Sequence, residues 1–163
     1  PTSRTDARHT GTVAAVWQAP LGINVSPIFL FRSRLPVSIT EGLDTNNNGE
    51  RNDLPVKAYQ YEGVGKAPKE IGDCKTWNCG RGAWRTQANL RVSKTFNLYK
   101  NSRIEAIGEL FNIFNATNPS SFTTTRLLGT GAPNPDFMQP QEYSGDFQNP
   151  EQRVGQIGFR FTF

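Results

Sequence analysis

The C-terminal segment, residues 153–163, constrains the fold of this chain most strongly, because its apolar side chains recur at every second position. Those side chains are Ile157, Phe159, Phe161 and Phe163, and the positions between them hold Gly or polar residues. An α-helix would spread such side chains around its axis, whereas a β-strand places alternate residues on opposite faces. The segment therefore predicts a β-strand with one aromatic face and one polar face.

Four earlier segments also have β patterning: residues 10–19, 23–40, 88–98 and 103–115. Pro27 removes a hydrogen-bond donor from the second segment, so we expect a local irregularity there. Lys94 interrupts the otherwise apolar face of the third. In the fourth, the apolar register shifts at Phe111, which indicates a bulge or a change of environment. A helix is the alternative for this fourth segment, because Glu, Ala, Leu and Ile are good helix formers.

Short and long connections alternate between these five strands. Residues 20–22 and 99–102 are short connections, whereas 41–87 and 116–152 are long, polar and rich in Gly, Pro and Asn. This alternation is typical of outer-membrane β-barrels, which have tight periplasmic turns and long extracellular loops. If the last strand ends in the periplasm, both short turns lie on the periplasmic side.

Composition excludes some classes of protein. The mean hydropathy is −0.56, and no apolar run approaches the ~18 residues of a membrane-spanning helix, which excludes a helical membrane protein but not a barrel. The net charge is +4, but no basic run carries interleaved aromatic residues, so we expect no nucleic-acid partner. His9 is the single histidine and no nucleophile motif occurs, so we expect no enzyme.

Residues 44–53 have the oxygen-ligand spacing that begins a calcium loop. The candidate ligands are Asp44, Asn46, Asn48, Glu50 and Asp53. Pro55 stands where such a loop has a bidentate Glu, so Asp53 would have to replace it. An Asn/Gly turn cluster in a surface loop has the same composition and stays open as the alternative. Apart from this possible calcium ion, the sequence requires no cofactor.

Cys74 and Cys79 are the two cysteines of the chain, and they stand close together in a loop-like stretch. A local disulfide is expected if the compartment is oxidising, with free thiols or pairing elsewhere as the alternative. A zinc site is a poor fit, because there is no second Cys pair and no nearby His. Trp77 and Trp84 flank this region, and Tyr59, Tyr61 and Tyr99 lie near predicted strand ends. These aromatic residues fit a membrane-interface girdle, a ligand-binding loop or an ordinary core.

Motifs along the second half, in order, resemble the late barrel strands of TonB-dependent outer-membrane receptors. They are Arg81-Gly82-Ala83-Trp84 with Asn89-Leu90-Arg91-Val92-Ser93-Lys94-Thr95-Phe96, Arg103-Ile104-Glu105 with Glu109-Leu110-Phe111-Asn112-Ile113-Phe114-Asn115, Asn118-Pro119, and Arg153 with the closing strand to Phe163. Asp6-Ala7-Arg8-His9 and the segment 44–55 are similar to the Oar-like branch, which has an N-terminal carboxypeptidase-regulatory-like domain. The resemblance covers most of the chain, from about Asp6 to the end.

The resemblance implies an all-β, antiparallel transmembrane β-barrel of ~22 strands, of which residues 1–163 form a C-terminal portion. This portion would supply about five strands, short periplasmic turns and two extracellular loops, about 41–87 and 116–152. The implied protein is a TonB-dependent receptor or transporter in the Gram-negative outer membrane, which takes up a scarce nutrient such as a siderophore, a glycan or a peptide. No plug domain or TonB box is recognisable in the sequence, and the residues that bind substrate stay unassigned.

The implied partners are the rest of the barrel and a plug domain, in upstream polypeptide or partner subunits, and the TonB complex acting through that plug. Lipid and lipopolysaccharide would cover the outside. Ile157, Phe159, Phe161 and Phe163 resemble the signal that the outer-membrane assembly machinery reads by β-augmentation. Five strands cannot close alone, so the first and last should pair with other polypeptide. The alternatives are a structural or surface-binding outer-membrane subunit that completes a larger barrel, and a secreted β-sandwich.

Overall fold

The computed structural model describes residues 3–144 and 152–163. Within these ranges the chain contains β-strands, one 3-10 turn at Pro20–Gly22 and no α-helix. The strands are β1 (Thr10–Ala14), β2 (Trp17–Ala19), β3 (Ile23–Arg32), β4 (Pro36–Val37), β5 (Lys57–Gln60), β6 (Lys69–Asp73), β7 (Gly80–Arg81), β8 (Arg85–Asn97), β9 (Arg103–Phe111), β10 (Pro119–Phe122), β11 (Pro140–Tyr143) and β12 (Val154–Thr162). The predicted all-β class is confirmed, and β9 excludes the helix considered for residues 103–115.

The chain divides into two compact units. The first unit consists of the described residues of Pro1–His9, Arg32–Arg85 and Asn118–Tyr143, and the second of those of Thr10–Phe31, Thr86–Thr117 and Ser144–Phe163. The second unit contains one sheet with the order β1-β3-β8-β9-β12, in which β2 also pairs with β3. Strands that follow one another along the chain are therefore neighbours in this sheet. Among the described residues the sheet is open, with β1 and β12 at its two edges.

The two short turns lie at the same end of this sheet, as the sequence predicts. One is the 3-10 turn Pro20–Gly22 between β2 and β3, and the other is residues 98–102 between β8 and β9. A Cβ added to Gly22 would lie 3.3 Å from the carbonyl oxygen of Thr95, two residues before the end of β8. Gly22 has a φ of 72°, which a residue without a Cβ adopts most readily.

The irregularity expected from Pro27 occurs in the neighbouring strand. β3 runs through Pro27 without interruption, and the break falls between β1 and β2. The N–H of Ala15, in that break, donates to the Pro27 carbonyl oxygen over 3.2 Å. Because Pro27 has no N–H to return, regular pairing is not completed at this point. The predicted strand 23–40 is too long, since β3 ends at Arg32 and residues 36–37 form the separate strand β4.

The register shift predicted at Phe111 is the end of a strand and not a bulge. β9 stops at Phe111, and Asn112 then takes a φ of 49°. Asn112 is fully buried, and its backbone N–H donates to Asn89 Oδ1 over 3.0 Å. Its side chain also exchanges two hydrogen bonds with the backbone of Ala116, of 3.0 and 2.9 Å. Asn tolerates a left-handed conformation, so this residue turns the chain out of the sheet.

The first unit is built largely from the two segments that the sequence analysis interprets as loops. It contains a four-stranded sheet, β4-β7-β5-β6, and the hairpin β10-β11. Its core is formed by residues from both segments and from the stretch before them: Ile39, Ala58, Tyr61, Cys74, Phe122, Phe137 and Met138. The Tyr61 ring lies 5.1 Å from that of Phe122, and the Tyr59 ring 5.2 Å from that of Phe137. The described parts of 41–87 and 116–152 therefore contain strands and share a core, and these two tyrosines belong to that core.

Candidate functional site

The sheet of the second unit has one apolar face. Directly paired residues of antiparallel strands point to the same side, so the register of β8, β9 and β12 defines rows across each face. The rows on one face are Leu90–Leu110–Gly155, Val92–Gly108–Ile157, Lys94–Ala106–Phe159 and Phe96–Ile104–Phe161. Within these described rows, Lys94 is the single charged residue. We call this the apolar face.

The opposite side of the same strands is polar. Its rows are Arg91–Glu109–Gln156, Ser93–Ile107–Gly158, Thr95–Glu105–Arg160 and Asn97–Arg103–Thr162. An ion pair of 3.3 Å joins Arg91 to Glu109, one of 3.4 Å joins Arg160 to Glu105, and Gln156 donates to Glu109. Half-exposed pairs of this kind add little stability. They show instead that this polar face pairs four of its charged side chains across three strands and is suited to water.

The apolar face is exposed in the middle of the sheet as well as at its edge. On the edge strand β12, Ile157 is 80% exposed and Phe159 and Phe161 are each 66% exposed. On the inner strands, Phe96 and Leu110 are each 45% exposed, although neighbouring strands flank them on both sides. Contiguous apolar patches are rare on soluble monomers and mark interaction surfaces. Covering one such side chain completely is favourable by about 1.5–3 kcal/mol.

The residues predicted as an assembly signal lie together on β12. Ile157, Phe159 and Phe161 share the apolar face, and Phe163 follows directly after the strand and is fully exposed. Within the described residues, β12 pairs with β9 on one side and has no partner on the other. An edge of this kind presents unpaired N–H and C=O groups to which another strand can bind. The structure therefore places an aromatic face and an open edge on the same strand.

The candidate calcium ligands lie in one surface loop between β4 and β5. They are Asp44, Asn46, Asn48, Glu50 and Asp53. Asp44 accepts the N–H groups of Asn48 and Gly49 over 3.0 and 2.8 Å. Asp53 accepts the N–H and the hydroxyl of Thr45 over 2.6 and 2.7 Å, and these bonds lower the pKa of the Asp53 carboxyl. Among the residues that the structure describes, no three His, Cys, Asp or Glu side chains are grouped to hold a metal ion.

Cys74 and Cys79 are joined by a disulfide in the first unit, with their Cα atoms 5.3 Å apart. The bridge connects the end of β6 to the start of β7, and Cys74 belongs to the core. On the neighbouring strand β5, Lys57 bonds Asp73 over 3.1 Å and pairs with Glu70 over 3.4 Å. These bonds raise the pKa of Lys57. The disulfide and the ion pairs hold the same edge of the four-stranded sheet.

Backbone and side-chain bonds tie the two long segments of the first unit together. The N–H of Thr40 donates to Thr124 over 3.0 Å. Arg126 forms an ion pair with the Glu41 carboxylate, with 2.9 Å between Nε and Oε2, and this bond raises the pKa of Arg126. Gln139 accepts the Gly65 N–H over 2.8 Å beside a hollow of about 710 Å³, formed by residues of 64–68 and 134–143. Sequence reasoning missed these contacts, because no local pattern pairs residues more than 70 positions apart.

Comparison with protein-family models, curated proteins and solved structures gives no match to this chain.

In the part of the chain that the structure describes, no helix has the length and apolar character needed to cross a bilayer.

Proposed function

We propose that this chain forms part of a β-barrel in the Gram-negative outer membrane. The observation that carries the proposal is the sheet of the second unit, whose apolar face is exposed while the polar face of the same strands is self-paired. A strand in a barrel wall needs this combination, because one side faces lipid and the other faces a polar interior. β9 and β12 each contain nine residues, within the range of about 9–11 that spans the hydrocarbon core.

The two open edges of the sheet indicate that further strands pair with it. In hydrocarbon, each unsatisfied backbone N–H or C=O costs several kcal/mol, so an open sheet edge is not stable there. The strands β1 and β12 would therefore pair with further strands, from upstream polypeptide or from partner subunits. The full barrel would have ~22 strands, as in the receptors that the sequence motifs resemble.

Within such a barrel, the function we propose is active uptake of a scarce nutrient as part of a TonB-dependent receptor. The short turns would face the periplasm, and the two long connections would be extracellular and help to capture the ligand. Support comes from the ordered motifs of the second half and from the compact core of the first unit, which gives an exterior segment a defined surface. Siderophore, glycan and peptide all remain candidate substrates.

The test uses the full polypeptide that carries this chain, expressed in its native host. We expect it in the carbonate-washed outer-membrane fraction, with heat-modifiable mobility on gels. We also expect its removal to abolish uptake of one nutrient, and dissipation of the proton-motive force to abolish that uptake in cells that retain the protein. Recovery of the protein as a detergent-free soluble monomer would contradict the membrane location.

A structural or surface-binding subunit is the second candidate. It is favoured by the folded first unit, whose core and disulfide hold it together whether or not the barrel transports anything. The two candidates differ in their dependence on energy. Ligand that stays bound at the surface, and whose retention is unchanged when the proton-motive force is dissipated, indicates binding without transport.

A further inference from the structure

Lys94 stands on the apolar face at a position where a charge is costly in a membrane. Its row contains Ala106 and Phe159, and the rows on both sides are apolar. The Lys94 ammonium lies 5.1 Å from the centre of the Phe96 ring, two residues closer to the short turn at 98–102. The side chain therefore extends along the apolar face toward the turn end of the sheet.

A groove lies on the same face, immediately beyond Lys94 in the opposite direction. It has a volume of about 690 Å³, and it is lined by Leu90, Val92, Gly108, Leu110, Gly155 and Ile157, together with Glu109 and Gln156. Gly108 opens the middle of the groove, because it stands between Val92 and Ile157 and has no side chain. A Cβ at Gly155 would lie 3.2 Å from Leu110 Cδ2, so the Leu110 side chain covers that glycine and forms the adjoining wall.

We infer that this groove and Lys94 together bind one glycerophospholipid of the periplasmic leaflet, with an acyl chain in the groove and the phosphate at the Lys94 ammonium. The inference rests on the proposed membrane location and adds a specific lipid site to it. Charge complementarity selects the phosphate, since an ammonium in hydrocarbon needs an anionic partner. The side chains that the groove presents on this face are apolar, since those of its lining residues Glu109 and Gln156 point to the polar face, and this selects a hydrocarbon chain over a peptide, whose backbone groups would find few partners there.

The dimensions agree with this arrangement. Lys94 lies three residues from the end of β8 at Asn97. With the boundary of the hydrocarbon core taken at the end of β8, about 3.3 Å per residue and a strand tilt of about 45° would place its Cα roughly 7 Å inside that boundary. A lysine side chain that extends toward the boundary can bring its ammonium to the headgroup level. The groove, farther from the turn, then lies at the depth of the acyl chains.

The inference is tested by native mass spectrometry of the full polypeptide, purified in mild detergent and titrated with phosphatidylglycerol. Lys94→Gln should weaken phosphatidylglycerol binding roughly fivefold, as expected for the loss of one cation near a lipid phosphate. Gly108→Leu should weaken binding about tenfold or more by filling the groove. The fold should tolerate Gly108→Leu, because a Cβ there meets its nearest neighbouring atom at 3.9 Å. The matched control is Lys100→Gln.

Lys100 makes a similar contact, 5.4 Å from the centre of the Tyr99 ring, but it lies in the turn and outside the groove. Lys100→Gln should leave the affinity unchanged. Equal losses from Lys94→Gln and Lys100→Gln would reduce the effect to general surface charge and would overturn the inference.

Two further ligands test the contributions of the phosphate and of the acyl chains to binding separately. Diacylglycerol, which has the chains without the phosphate, should bind Lys94→Gln as well as the unaltered protein and should bind Gly108→Leu more weakly. Inorganic phosphate should not displace phosphatidylglycerol, and displacement would indicate an anion site without a lipid. Absence of the protein from membranes would contradict the proposed function. If the protein is in membranes but neither Lys94→Gln nor Gly108→Leu changes its affinity for phosphatidylglycerol, only this inference is contradicted.

Discussion

A charge placed on the apolar face distinguishes a lipid-facing sheet from a water-facing one. Ile157 lies next to the centre of β12, pairs with Gly108 and is 80% exposed. If that exposed side faces water, Ile157→Arg should change the free energy of unfolding by no more than about 0.5 kcal/mol, as surface substitutions usually do. If it faces the middle of the bilayer, the same change should destabilise the protein by about 2–4 kcal/mol.

The adjacent residue provides the matched control. Gln156 points to the polar face, where its side chain bonds the Glu109 carboxylate, so Gln156→Arg adds the same charge at the same depth on the opposite side. We expect Gln156→Arg to cost less than about 0.5 kcal/mol. Phe161→Arg, closer to the end of β12, should cost about 0–1 kcal/mol, because the penalty falls toward the membrane interface.

The assay is urea unfolding of the full polypeptide in lipid vesicles, followed by heat-modifiable gel mobility, for the three variants and the unaltered protein. The expected order of destabilisation is Ile157→Arg, then Phe161→Arg, then Gln156→Arg. Destabilisation by Ile157→Arg that stays within about 0.5 kcal/mol of the Gln156→Arg value would refute the assignment of the apolar face to lipid.

Four other outcomes are expected. Deletion of Phe163 should reduce the amount of heat-modifiable protein in outer-membrane fractions, and unchanged amounts would argue against an assembly signal. Replacing Cys74 and Cys79 together by Ser should lower the stability of the first unit by about 2 kcal/mol, measured as protease resistance with the reduced protein as control. Calcium should protect residues 44–53 from proteolysis if the ligand spacing is functional, and identical cleavage with chelator would leave a plain turn cluster. Hydrogen bonds lower the pKa of Asp53 below the ordinary 3.8, so the stability that they add to the loop should be complete above pH 3.8 and lost as the pH falls through the lowered pKa. Amide exchange of the loop should show this loss, and Asp53→Asn should abolish the pH dependence.

The strands of the second unit could be predicted from the sequence, because the alternation of apolar and polar side chains is a local property. Residues 153–163 alternate so regularly that both the strand and its two faces follow from a period of two. The short connections at 20–22 and 99–102 hold the two strands on either side of each connection close together, so these strands pair with one another. The β2–β3 and β8–β9 pairings and the common end of these turns could therefore be predicted without any knowledge of long-range contacts, whereas the β3–β8 and β9–β12 pairings join strands across long connections.

The first unit depends on tertiary structure. Its strands contain two to five residues, too few to show a reliable period. β5 pairs in parallel with β7, although β6 and the disulfide-bonded segment lie between them in the sequence. Its core brings Tyr61 into contact with Phe122 and Tyr59 into contact with Phe137. Nothing in the sequence around these residues indicates that they pair. The groove of the proposed lipid site likewise appears only when the register aligns Gly108 with Val92 and Ile157. Such contacts join residues that are far apart in the sequence. Closing each intervening loop costs entropy, and this cost is overcome only when many of the contacts form together.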